Sequence, residues 1–347
     1  MANTEHAKRI ACRFPVITAV TEIAAVDGGL INDSFKITTP GGCYALQRIN
    51  PQVFTTPQQI IANLVHLQSA AQNYAAAAPR LPRLYPAADG HWWQVDAAGS
   101  YWRLWEWIDG APLVAPPTTA QAAEIGRILG QFHRFTTTLD PQTFTPILPH
   151  LHDSARYWDQ LQAQPPTPEI APLLELIDHR RAWLLSDDRL AQLPIRIVHG
   201  DPKCNNLLFD HRGSQAIAWI DLDTIQPGLL IQDIADCLRS NCQRDQDDRI
   251  GFDLDCAETL LTAYAQQVAG LLEHSEIDCL FAAIRLMPFE LCLRFLADHL
   301  AEDRYFRVQY RGENFHKAHR QLQLAIAIDD QQTALAQIIA RCWSSTV

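Results

Sequence analysis

At 347 residues the chain is long for a single compact core, and two lobes are the expectation. Its 48% apolar and 19% charged content is that of a soluble globular protein, and no apolar run approaches the ~18 residues that span a bilayer, so a membrane partner is not expected. A formal charge of −11 argues against a nucleic-acid partner, whose phosphates need a basic surface, but leaves room for a nucleotide handled by a metal ion and a few donors.

The opening residues, MANTEHAKRIACRF, interrupt any apolar run with polar groups and are not expected to act as a secretory signal. The nine cysteines form no CxxC pair and suit reduced thiols in a cytoplasmic protein. Residues 23 to 50 have the pattern of strands, broken at Gly28-Gly29 and again at Pro40-Gly41-Gly42. TTPQQIIANLVHLQSAAQ is predicted helical, with Thr56 as N-cap and Ile60, Ile61, Leu64 and Leu67 on its apolar face. A Pro/Ala-rich connector then leads into HWWQVDAAGSYWRLWEWIDG, the aromatic, turn-broken pattern of a hairpin ending at Asp109-Gly110. Residues 1 to 108 are thus expected to form a small sheet with one helix. From 109 to 347 the pattern is helical, including nearly everything after residue 233. Short strands are expected near 195–198, 206–209 and 216–221, and LQAQPPTPEIAP is expected to be a surface loop. The fold class is α+β, a β-rich N-terminal lobe followed by a larger helical lobe, with a ligand cleft between them.

The densest chemistry lies in HGDPKCNNLLFD, residues 199 to 210. His199, Asp201 and Asn206 follow the pattern H-x-D-x-x-x-x-N, and a predicted hairpin carries the chain on to Asp221 and Asp223 in AIAWIDLDT. Such a hairpin brings Asn206 and Asp221 together at its open end. Phosphoryl transfer needs this set: a carboxylate to orient the attacking hydroxyl, and hard oxygen ligands to hold Mg²⁺ on the phosphates. Protein kinases present the same order. Asp201 is the candidate base, Lys203 the candidate partner of the transferring phosphate, and His199 a loop anchor. Asn206 and Asp221 are candidate metal ligands; Asp223 is either a further ligand or a structural hydrogen-bonding group.

With these motifs the chain resembles the aminoglycoside phosphotransferase/choline kinase superfamily, whose members have a two-lobed, protein-kinase-like fold. GGLINDSF, YALQRINPQVF, YWRLWEWIDG and ELCLRFLADHLAEDRYF are most similar to the N-acetylhexosamine 1-kinase group. The resemblance implies ATP as cosubstrate and Mg²⁺ as cofactor. It implies nucleotide contacts from Gly29, Asn32, Ser34, Gln47, Arg48, Glu106 and Ile108, and sugar contacts from Asp33, Asp201, Arg294 and Tyr305. Two departures stand out. Gln47, with Arg48 beside it, occupies the place of the strand lysine of protein kinases, and the following helix offers Ala62-Asn63 and no acid to pair with it. Alternation along a strand lets only one of Gln47 and Arg48 face the cleft. Leu30 replaces a histidine that the group carries beside the sugar. The expected activity is phosphorylation of a sugar hydroxyl, the anomeric one of an N-acetylhexosamine or related hexose. An amino alcohol or aminoglycoside acceptor is the alternative, for which Asp233, Asp236, Asp298, Glu302 and Asp303 are candidate cation contacts. A non-catalytic nucleotide-binding regulator is the third reading.

Overall fold

The computed structural model describes residues 4–26, 31–73, 78–163, 167–246 and 249–344. In the N-terminal part a short helix, α1 (Thr4–Ala11), precedes strands β1 (Glu22–Val26), β2 (Asp33–Thr39) and β3 (Gly42–Arg48). Helix α2 (Pro57–Asn73) follows, then β4 (Leu84–Tyr85), β5 (Gln94–Val95) and β6 (Tyr101–Glu106). The strands form one antiparallel sheet in the order β1-β2-β3-β6-β4, with β5 also paired to β6. Strand alternation gives this sheet two different faces. Phe35, Ile37, Leu46, Trp102 and Leu104 point one way and bury against Ile10 and Phe14 of the N-terminal segment. Helix α1 was not anticipated, because eight residues give too short a periodic pattern to stand out. The opposite face carries Gln47, Arg103 and Trp105 toward the cleft.

The C-terminal part contains α3 (Thr119–Thr136), α4 (Ser154–Gln162), α5 (Ala171–Asp178), α6 (Asp187–Leu190), β7 (Arg196–Val198), β8 (Leu207–Phe209), β9 (Ala216–Trp219) and β10 (Gln226–Gly228). It ends with α7 (Leu230–Cys242), a hairpin of β11 (Gln243–Gln246) and β12 (Arg249–Phe252), then α8 (Leu254–Gln267), α9 (His274–Leu300), α10 (Glu313–Asp329) and α11 (Gln332–Ser344). The β11–β12 hairpin corrects the expectation of helix there. Ile250 and Phe252 alternate inward from a charged stretch, and Arg244 pairs with Asp253 to close its base. The core of this part gathers Phe132, Ile234, Leu260 and Leu280 from α3, α7, α8 and α9. Helices α3 and α8 approach so closely that a Cβ at Gly126 would lie 2.1 Å from the Leu260 carbonyl oxygen, so only glycine fits. No helix among the described residues is long and apolar enough to cross a membrane.

Two features fix the cleft. Strand β10 pairs with β7, Val198 opposite Gln226, which sets the segment after Asp223 beside the one entering Asp201. Across the cleft, Asn63 of α2 donates to the carbonyls of Ile225 and Thr145, each at 2.8 Å, and accepts from the Thr145 amide at 2.9 Å.

Candidate active site

The 199–206 loop is tied down mainly through its backbone. Asp233, at the start of α7, accepts from the amides of His199 at 2.7 Å and Gly200 at 2.9 Å, and lies 3.0 Å from His133 Nε2. Burial works to raise the Asp233 pKa, but these hydrogen bonds and the nearby histidines hold it below the usual value. The His199 ring is fully buried beside Phe132 and Trp219, and burial lowers its pKa, so it acts as an apolar plug whose backbone is held. Its carbonyl accepts from Thr224 Oγ1 at 2.8 Å, linking the loop to the stretch after Asp221. Gly200 has φ +81°, and a Cβ there would meet the Thr224 carbonyl oxygen at 2.5 Å. Glycine at the middle of the HGD motif is therefore a steric requirement.

Asp201 follows with 30% of its side chain exposed to the cleft. Its Oδ2 accepts from Lys203 Nζ and, at 3.0 Å, from Asn206 Nδ2, which also donates to the Asp201 carbonyl at 2.9 Å. Burial lowers the Lys203 pKa less than the carboxylates of Asp201 and Asp221 raise it, so the ammonium stays charged. The β8–β9 hairpin forms in the expected register, Leu207 opposite Trp219, and the Ile220 amide donates to the Asn206 carbonyl at 2.8 Å. Asn206 and Asp221 are thereby brought to one end of the hairpin. Asp221 itself adopts a left-handed backbone, φ 58° and ψ 53°, which costs a non-glycine residue roughly 1 kcal/mol. Its pKa is raised to about 7 by burial low between the lobes and by the Asp223 carboxylate beside it.

With its amide nitrogen bonded to Asp201, Asn206 offers its amide oxygen, and Asp221 offers a carboxylate. Among the described residues no cluster of three His, Cys, Asp or Glu side chains forms a closed metal cage. A pair of hard oxygens without imidazole or thiolate fits Mg²⁺, which keeps water and takes substrate phosphates as further ligands. Asp223 is placed differently. It is 2% exposed, lies 2.5 Å from Arg103 Nη2, and accepts from Asn32 Nδ2 at 2.7 Å.

On the sheet above, Gln47 and Arg48 part as alternation requires. Gln47 Oε1 accepts from Arg103 Nε at 3.2 Å, Arg103 Nη2 at 2.9 Å and Trp105 Nε1 at 2.8 Å, while its Nε2 donates to Ser34 Oγ at 3.1 Å. Arg48, on the other face, pairs with Asp33. Asn32 also accepts from the Asn50 amide at 3.0 Å. Gly29 and Leu30 lie outside the described residues. At the edge of the cleft, Glu106 pairs with Arg80, its amide bonds Arg83, and the Trp107 amide bonds Cys43. Ile108 is buried against Leu208 and Ala218 of the hairpin, and among the described residues its amide has no backbone partner.

Opposite Asp201, Arg294 and Tyr305 come together around Phe306. The Arg294 guanidinium lies 5.6 Å from the ring centres of both Tyr157 and Phe306, and its side chain is 13% exposed. Burial disfavours its charge, but Tyr157, Glu290, Tyr305 and Asp201 together outweigh that and hold it protonated. Tyr305 packs edge-on against Phe306, and its amide donates to Asp298 at 2.7 Å. Sequence reasoning passed over Arg103, Asp233 as an anchor, and Glu290, which accepts from Ser154 at 2.6 Å and lies 3.1 Å from His152 Nδ1. The available signal for Arg103 was a lone charge inside the aromatic strand YWRLWE.

Residues 22–274 match the model of the phosphotransferase enzyme family. Among solved structures, the aminoglycoside 2'-phosphotransferase-IIIa GDP complex superposes with a TM-score of 0.67 at 12% identity, covering 92% of this chain and 99% of that one. A microcompartment-associated aminopropanol kinase gives 0.65 at 17% identity, covering 96% and 99%. Amicoumacin kinase, solved with AMP-PNP, Ca²⁺ and its antibiotic, gives 0.59 at 14% identity, covering 99% and 94%. These likenesses identify the fold as kinase-like, and the family match covers most of the chain. The protein belongs to the phosphotransferase enzyme family and is a small-molecule kinase with an alcohol group as acceptor.

Proposed function

We propose that the enzyme transfers the γ-phosphoryl group of ATP to a hydroxyl of an uncharged sugar, the anomeric hydroxyl of an N-acetylhexosamine or related hexose. Asp201 orients the hydroxyl and takes its proton as the oxygen bonds to phosphorus and the bond to the ADP oxygen breaks. Asn206 and Asp221 hold Mg²⁺, which when bound neutralises phosphate charge. Lys203 steadies Asp201 and adds a positive charge near the transferring group. Asp223 acts as a loop anchor rather than a further ligand, since Arg103 and Asn32 already engage its oxygens. The Ile108 amide is the candidate donor to the purine.

The choice of acceptor rests on Arg294. Its buried guanidinium, flanked by aromatic rings on the side facing Asp201, suits hydroxyl and carbonyl oxygens and repels an ammonium group. The acidic residues that a cationic acceptor would use are mostly engaged. Asp233 binds the catalytic loop, Asp236 pairs with Arg239, Asp298 accepts the amides of Tyr305 and Phe306, and Asp303 accepts from Asn314. A second reading, an amino alcohol or aminoglycoside acceptor, draws on the solved neighbours named for such substrates. The test is ATP consumption by the purified protein with Mg²⁺ and N-acetylglucosamine, N-acetylgalactosamine, glucose, galactose, choline, homoserine or kanamycin. Turnover with a hexose, abolished when its anomeric oxygen is methylated, supports the proposal. Turnover confined to the amines replaces it with the second reading.

A further inference from the structure

Arg103 is 1% exposed, reaches from β6 to Asp223 in the metal loop, and keeps its Nη1 buried with no hydrogen-bond partner among the described residues. As a stabilising device this is a poor arrangement. Desolvating two charges cancels much of their attraction, and an orphaned N–H adds a further cost, so an apolar pair of similar volume would hold the lobes at least as well. The pair does achieve placement. Asp223 lies on the 3-10 turn Leu222–Thr224 directly after Asp221, whose left-handed backbone persists only if its flanks are fixed. Thr224 fixes that turn to the catalytic loop below, through the His199 carbonyl, and Arg103 fixes it to the sheet above. Gln47 orients the guanidinium with two hydrogen bonds to one oxygen, and Trp105 covers it with its ring centre 5.0 Å away.

We infer that Arg103 is a positioning residue for the bound cation: through Asp223 it sets the turn that presents Asp221 to a divalent ion on a nucleotide's phosphates. In this arrangement a cation on the roof is kept although position 47 carries no lysine. It is supplied from the neighbouring strand and directed at the metal loop instead of at a helix acid. The inference rests on the assignment of Asp221 as a metal ligand under the proposed function.

The test needs no acceptor. AMP-PNP binding is titrated calorimetrically at increasing Mg²⁺ in the wild type, Arg103→Lys, Arg103→Met and the double variant Arg103→Met/Asp223→Leu, with thermal unfolding of each. The expected result is a half-saturating Mg²⁺ concentration raised about tenfold or more in both Met variants, partial recovery with lysine, and unfolding of the double variant close to wild type. A purely structural role would shift the melting temperature and leave the Mg²⁺ dependence in place. Folded variants whose half-saturating Mg²⁺ stays within about twofold of wild type overturn the inference alone. A wild type whose AMP-PNP binding ignores Mg²⁺ overturns the metal assignment and the inference with it.

Discussion

On the floor of the cleft Asp201 keeps 30% of its side chain exposed, and on the roof Arg103 keeps 1% and Asp223 3%. Both places gather charged and amide side chains, yet the floor leaves its carboxylate open to a reactant while the roof closes its charges upon one another. The floor positions its reactive group by gripping backbone, with Asp233 holding two loop amides and glycine admitting the tight approach of Thr224. The roof works through side chains alone, converging on one amide oxygen of Gln47. A group that must react is thus kept free and held from behind, whereas groups that must only hold are buried and mutually satisfied.

Four substitutions test this division. Asp201→Asn removes the open carboxylate and should lower kcat by ~10²–10⁴-fold while leaving Mg·AMP-PNP affinity within about threefold, measured by steady-state kinetics and calorimetry. Arg294→Met should raise the acceptor KM about tenfold or more with the ATP KM unchanged; an equal rise in both would place Arg294 outside the acceptor pocket. Gln47→Lys would restore the lysine of protein kinases in sequence but not in circumstance. It removes the acceptor of three hydrogen bonds and sets an ammonium beside a buried guanidinium, so stability should fall by roughly 1–3 kcal/mol in urea unfolding, with no gain in rate. A faster enzyme would mean that the roof lacks a cation after all.

The smallest effect concerns Asp221, whose folded pKa of about 7 stands above the ordinary carboxylate value. The folded chain then binds a proton that the unfolded chain releases. The stability that protonation contributes is complete below the ordinary value and is lost as pH rises toward and through 7. Asp221→Asn, measured without metal, should therefore raise the melting temperature by about 1–3 °C at pH 8, and the gain should shrink steadily toward pH 4. Asparagine tolerates the left-handed backbone slightly better, which adds a pH-independent part that the slope separates.

The floor was legible because its geometry is local. His199 to Asn206 lie in one loop, and a short hairpin carries the chain from Asn206 to Asp221, so spacing alone implied the meeting that the Ile220–Asn206 hydrogen bond reports. Alternation correctly implied that Gln47 and Arg48 diverge, but not which faced the cleft. The roof was not legible. Asn32 and Asp223 are separated by 191 positions, and Arg103 meets Asp223 only because two lobes close on each other. Nothing in the neighbourhood of either residue encodes that approach. Asp233 was misread for a related reason: its acidic side chain suggested a cation contact, while its partners are backbone amides that no composition reveals.

The contact made by Asn63 bears on regulation. In protein kinases the corresponding helix is held by an ion pair, and making or breaking that pair switches activity. Here α2 is joined to Thr145 and Ile225 by three hydrogen bonds from an uncharged amide. Neither ionic strength nor pH across the physiological range acts on such a latch, and it offers no charge for an added phosphate to capture. The helix stays docked whether or not a signal is present, leaving the enzyme's output to follow the supply of its substrates.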